Sequence, residues 1–104
     1  MKYFYTATFI PTEDGTEYYC RVPDLPGCIT TGDSLENAID LITDAASGWL
    51  VIAEDENIPI PTQTPQSQLD TPSNAILSII QIDTTAYRAT NELDSLQKDM
   101  AIPA

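Results

Sequence analysis

Residues Asp33–Ala53 read DSLENAIDLITDAASGWLVIA, and their spacing decides the fold. Leu35, Ala38, Ile39, Ile42, Ala45, Ala46, Trp49, Leu50 and Ala53 recur in steps of three and one. That rhythm lines one side of an α-helix with apolar groups, in a stripe wide enough to cover one face of a sheet. Glu36, Asn37, Asp40, Thr43, Asp44 and Ser47 fall on the opposite, wet side. Asp33 stands three residues before Glu36, so the two read as a capping box with Asp in the place of Ser or Thr. Acids at Asp33, Glu36 and Asp40 also suit the positive end of the helix dipole. The spacing predicts a helix from about Ser34 to about Ala53 that frays over residues 54–57.

Upstream, Lys2–Ile10 is rich in aromatic and β-branched residues, with apolar groups on both alternating faces, as in an interior strand. Asp14-Gly15 marks a hairpin, and Glu17–Val22 alternates with Tyr18, Cys20 and Val22 on one side. Pro23-Asp24-Leu25-Pro26-Gly27 is a fixed loop: its prolines pin φ and its glycine permits a positive one. Cys28–Thr31 gives a third short strand. Downstream, residues 58–73 mix four prolines with Thr, Gln and Ser, the composition of an extended connector. Ala75–Ile82 is then a nearly continuous apolar run. It predicts a strand inside the sheet, paired in parallel after a helical crossover. Asp83–Tyr87 reads as a capped helical turn, and the polar tail from Arg88 carries no core of its own.

The fold class is therefore α+β: β-β-β-α-β, a four-stranded sheet of order 3-2-1-4 with one long helix on one face. Two readings of the second face stand side by side. Its Tyr and Phe side chains form a protein-contact surface, or the Pro-rich connector and tail cover it.

Composition narrows the function. The 104 residues carry 16 Asp and Glu against 4 Lys and Arg, a formal charge of −12. Such a surface repels phosphate backbones and speeds encounter with a basic partner. There is no His, which removes Ser-His-Asp triads, Cys-His pairs and His-ligated zinc. Cys20 and Cys28 are too few for a disulfide scaffold and, without His, for a zinc site. Reduced, half-buried thiols are the expectation, with a redox pair on neighbouring strands as the alternative. No apolar leader or membrane span is read, so a cytoplasmic location is expected.

The Tyr-rich first strand, the Asp-Gly turn, Pro23-Asp24-Leu25-Pro26-Gly27-Cys28, Thr31-Gly32-Asp33-Ser34-Leu35-Glu36-Asn37-Ala38 and Trp49 resemble the HicB antitoxins. These are the neutralising partners in type II HicA–HicB toxin–antitoxin pairs. The resemblance covers residues 3–88 and rests on the two motifs occurring together; Asn37 departs from it, standing where the pattern has an acid. It implies a partial ribonuclease-H-like fold without nuclease function. It also implies a small basic HicA-like toxin that cleaves mRNA through a catalytic histidine. Residues 1–88 are then the toxin-neutralising domain and 89–104 a linker. The family's C-terminal DNA-binding module is represented only by Lys98–Ala104, which looks like the first strand of a ribbon-helix-helix unit. Autoregulation of transcription through that module is the alternative function. DNA would be bound only through it, and the full-length protein would dimerise by it.

For partner contact we single out Glu13, Asp14, Glu17, Tyr18, Asp24, Leu25, Pro26, Glu36 and Asp40. Each has an ordinary counterpart. The turn and helix acids are solvated charges, Tyr18 packs in the sheet, and Asp24-Leu25-Pro26 is a rigid connection between strands. Trp49 belongs to the apolar stripe. No catalytic residue, metal or cofactor is expected. The first strand has no Asp or Glu before Pro11, and two-metal phosphodiester cleavage needs carboxylates converging from the sheet. A nuclease built on Asp24 and Asp33 is the remaining enzymatic reading.

Overall fold

β1 (Lys2–Pro11) is the spine of a four-stranded sheet with β2 (Tyr18–Arg21), β3 (Ile29–Gly32) and β4 (Ile76–Asp83), in the order β3-β2-β1-β4. α1 (Leu35–Glu56) lies across one face, and residues 84–90 are helical. The computed structural model describes residues 1–90; the expected module start at Lys98–Ala104 lies outside them. The α+β class, the strand order and the single long helix agree with the sequence reading.

Alternation along β1 builds the core. Tyr5, Ala7 and Phe9 point under α1 and meet Ile42, Ala46 and Leu50, all buried. Each large side chain removed from water contributes about 1.5–3 kcal/mol. A Cβ on Gly32 would stand only 2.5 Å from the Ala38 backbone nitrogen. Glycine is therefore what lets α1 leave β3 at this close approach.

The start of α1 corrects the expected cap by one residue. Ser34, not Asp33, is the N-cap: its Oγ accepts from the Asn37 N–H at 3.0 Å. Asn37 Oδ1 in turn accepts from the Asp33 N–H at 3.0 Å. An amide oxygen thus does the reciprocal work expected of Glu36. At the other end the helix runs on through Glu56 and is closed by Asn57 in the left-handed region, φ 55°. Residues 54–56 do not fray because Glu54 is held by several partners, described below.

Ser47 is also corrected. It is buried, not wet, because Tyr87 of the 84–90 helix folds over the neighbouring Gly48; its hydroxyl donates to Thr43 O at 2.7 Å.

The parallel pairing expected for β4 is replaced by an antiparallel one, Lys2 opposite Asp83 and Phe9 opposite Ile76. The path of the connector explains it. α1 begins beside Gly32 at the C-terminal end of β1 and returns to its start, where Tyr3 donates to Glu54. A strand beginning there would run parallel to β1. Residues 57–75 instead travel back: the Tyr5 hydroxyl donates to Pro61 O, Thr64 binds Asp24, and β4 starts opposite Phe9.

Both cysteines are free and buried. Cys20 pairs with Thr30 in the β2–β3 register, and the Cys28 carbonyl accepts from the Val22 N–H. The two thiols are diagonal rather than opposite, which is unfavourable for a disulfide. Burial, with the Cys20 thiol nearby, pushes Cys28 up to about 11. The second face of the sheet is divided. Thr6 and Thr8 are buried at its centre, while Phe4, Tyr19, Ile29 and Ile79 stand exposed around them.

One polar clasp ties the chain's beginning to the end of β4. Glu54 Oε2 accepts from the Tyr3 hydroxyl (2.7 Å) and from Thr84 Oγ1 (2.9 Å), and Arg88 pairs with Glu54 Oε1 at 3.1 Å. Thr84 N–H donates to Met1 O. Burial alone would raise the Glu54 carboxyl, but the hydrogen bonds and the guanidinium outweigh it and hold it below its ordinary value. A lowered folded-state pKa stabilises the fold above the unfolded carboxyl value, and that contribution disappears as pH falls through the folded one. Glu54→Gln is therefore expected to lower the urea midpoint at pH 7. The gap to the parent should close below about pH 4. A gap that persists unchanged in acid would show that the carboxylate charge is not what Glu54 contributes.

Candidate protein-interaction surface

β-Pairing gathers the acids. Tyr18 lies opposite both Pro11 and Gly32. The β1–β2 turn and the first turn of α1 therefore leave the sheet at the same end. Glu13, Asp14, Glu17, Asp33 and Glu36 are all exposed there, with Asp40 about a turn further along the helix. The described cations lie elsewhere. Lys2 and Arg88 are at the other end of β1, Arg88 already paired with Glu54 and Asp55, and Arg21 is on the second face of the sheet. One end of the domain is thus an acidic pole.

The turn within that pole is rigid. Asp14 Oδ1 accepts from Thr12 Oγ1 (2.8 Å), Thr16 Oγ1 (2.9 Å) and the Thr16 N–H (3.1 Å), with Gly15 at φ 71° between them. These hydrogen bonds, led by the one from Thr12, hold the Asp14 carboxyl below its ordinary value. Asp14 is thus both a charge of the pole and a strut of its turn.

Five of the nine residues singled out in the sequence, Glu13, Asp14, Glu17, Glu36 and Asp40, are brought together here. Tyr18 lies just beneath them but faces inward, half-buried against the core. Asp33, read as a cap, is freed from that task by Ser34 and joins the exposed group. Its position beside Glu36 was the available signal.

The other three lie at the opposite end, because β2 carries the chain away from Tyr18 before the loop begins. Each is engaged within the domain. Asp24 takes the Thr64 N–H on Oδ2 (2.9 Å) and the Thr64 hydroxyl on Oδ1 (2.6 Å), latching the connector to the loop. Leu25 is only 1% exposed and belongs to the core, which corrects its assignment as a contact residue. Two tight turns, Leu25 N–H to Val22 O and Cys28 N–H to Leu25 O, aim it inward. Pro26 is exposed, but its carbonyl receives the Trp49 indole N–H at 2.9 Å. Nothing in the sequence pointed to Thr64, a partner 40 positions away.

Asp24 and Asp33 therefore sit at opposite ends of the sheet. Among the described residues no group of three or more Cys, Asp or Glu side chains is placed to hold a metal ion. No described helix is long and apolar enough to cross a membrane.

Known proteins share this architecture. Antitoxin HicB 1 of Photorhabdus laumondii is 28% identical over 81 residues, 76% of this chain and 52% of the relative. The chain thus spans about half the length of that relative. Among solved structures, a chain of the toxin–antitoxin complex from Streptococcus pneumoniae superposes with a TM-score of 0.75 at 17% identity, over 99% of this chain and 91% of that one. The N-terminal domain of the Burkholderia pseudomallei antitoxin HicB gives 0.61 at 21% identity, over 80% and 99%. A chain of a HicA3 and HicB3 toxin–antitoxin complex gives 0.59 at 21% identity, over 77% and 98%. At such identities the superpositions speak for the fold alone. The family model described as the HicB-like antitoxin of bacterial toxin–antitoxin systems matches residues 5–95, and to that family this chain belongs.

Proposed function

We propose that this chain neutralises a small, basic, HicA-like toxin that cleaves mRNA, by laying its acidic pole over the surface with which the toxin holds RNA. The observation that carries this reading is the convergence of Glu13, Asp14, Glu17, Asp33 and Glu36 at one end, with the described cations elsewhere. A cationic RNA-binding surface is complementary to that pole, and each carboxylate competes there with a phosphate. The chain acts by occupancy and supplies no bond-breaking group. Residues 1–88 form the neutralising unit, and the complex works in the cytoplasm, where mRNA is. The toxin-antitoxin complexes among the structural neighbours support a toxin as partner. Autoregulation through DNA draws no support from the described residues, whose three cations are scattered.

The test is co-expression with a small basic HicA-like toxin. Growth should be restored, and the two should co-purify and bury roughly 1,600 Å² or more. Failure of both rescue and co-purification would overturn the proposal.

A further inference from the structure

A four-stranded sheet has two edges, and this one protects them unequally. β3, on one side, is only four residues long, and Asp33 follows it directly. Short edge strands guarded by charge resist further pairing. β4, on the other side, has eight residues, IleLeuSerIleIleGlnIleAsp in order, with no proline, lysine or arginine. Its register with β1 runs through eight successive pairs, from Lys2 opposite Asp83 to Phe9 opposite Ile76. No bulge twists the edge away. Among the described residues β4 pairs on one side only. Ile76 and Ile79 are 39% and 49% exposed.

Charge selects the occupant of this edge. The chain carries −12, so copies repel one another over most of their surface. β4 itself carries little charge: its sole ionisable residue is Asp83, at the very end, where the carboxylate already accepts from the Ala86 N–H, and Asp44 of α1 borders the same cleft as Gln81. The strand is also self-complementary. Antiparallel pairing centred on Ile79 places Ile79 opposite its own copy, Ile76 opposite Ile82, Ser78 opposite Ile80 and Leu77 opposite Gln81. Every pair keeps its side chains on a common face, and no acid enters. Centring on Ile80 instead would set Asp83 opposite Leu77.

We infer that β4 is a self-association edge: two copies join by it into one eight-stranded antiparallel sheet about a two-fold axis at Ile79. The axis is perpendicular to the sheet, so both α1 helices stay on one face. Antiparallel pairing sends the two acidic poles to opposite ends, where their repulsion is least. The inference is independent of the toxin reading, because it uses none of the residues of the pole.

The test is analytical ultracentrifugation of the whole chain alone, with hydrogen exchange of the β4 amides. The parent should pass from an 11.4 kDa monomer to twice that mass as concentration rises, with amide protection growing in step. Salt should tighten this association, since it screens repulsion between like-charged copies. Ile79→Lys places two cations face to face at the axis and should weaken dimerisation about tenfold or more. Gln81→Lys, at an exposed position, serves as a second variant should the first disturb folding. A parent that stays monomeric at high concentration overturns the inference. So does a dimer that both variants leave intact, or β4 protection that appears only when a basic toxin is added.

Discussion

Glu13→Lys, Glu17→Lys, Glu36→Lys and Asp40→Lys together are expected to slow association with a basic partner by about 10- to 1,000-fold at low salt. Each reversal changes the charge by two, so the formal net charge moves from −12 to −4. All four side chains are exposed, which limits the effect on folding to small terms such as the helix-dipole interaction of Glu36, about 0.3–1 kcal/mol. Asp14 is deliberately left alone, because its carboxylate braces the turn. Stopped-flow association at two ionic strengths makes the measurement. The parent's rate should fall steeply with salt, and the variant's should be both lower and flatter. An unchanged rate in the variant would mean that the acidic pole is not the contacting end.

Leu25→Ala is expected to cost about 2–5 kcal/mol of stability, the range for a large aliphatic side chain removed from a packed core. A domain of this size melts about 4–8 °C lower per kcal/mol lost, so the transition should fall by at least about 8 °C. The same substitution at a surface contact would leave the melt in place and weaken only the complex. Thermal unfolding of the isolated chain thus separates the two roles of the Pro23–Gly27 loop. We expect the stability effect, since Leu25 is 1% exposed.

These two experiments mark where the sequence was legible. The apolar rhythm from Leu35 to Ala53 declares α1 because packing against a sheet needs little more than spacing. The two-sided apolar character of Lys2–Ile10 places β1 in the interior for the same reason. The cap slipped by one residue because Asp33 and Ser34 are comparable caps, and only the reach of Asn37 decides between them. The direction of β4 was not readable at all. A nearly continuous apolar run looks the same whichever way it is threaded, and its sense depends on how far the connector travels, pinned by Tyr5 and Asp24. Leu25 was misread because prolines and glycine announce a loop without saying which way its apolar residue turns. The acids of the pole were each visible, but their convergence needed the register that sets Tyr18 opposite Gly32.

Because β4 runs back along β1, the chain enters and leaves the sheet at a shared doorway: Met1 and Thr84 are hydrogen-bonded neighbours. The ten-residue spine sets that doorway about 30 Å from the carboxylate-rich tip. A fluorophore, affinity handle or fused module attached before Met1 would trail from the rear of the molecule. It would leave the tip unobstructed, so immobilised or labelled protein should report encounter kinetics without masking them.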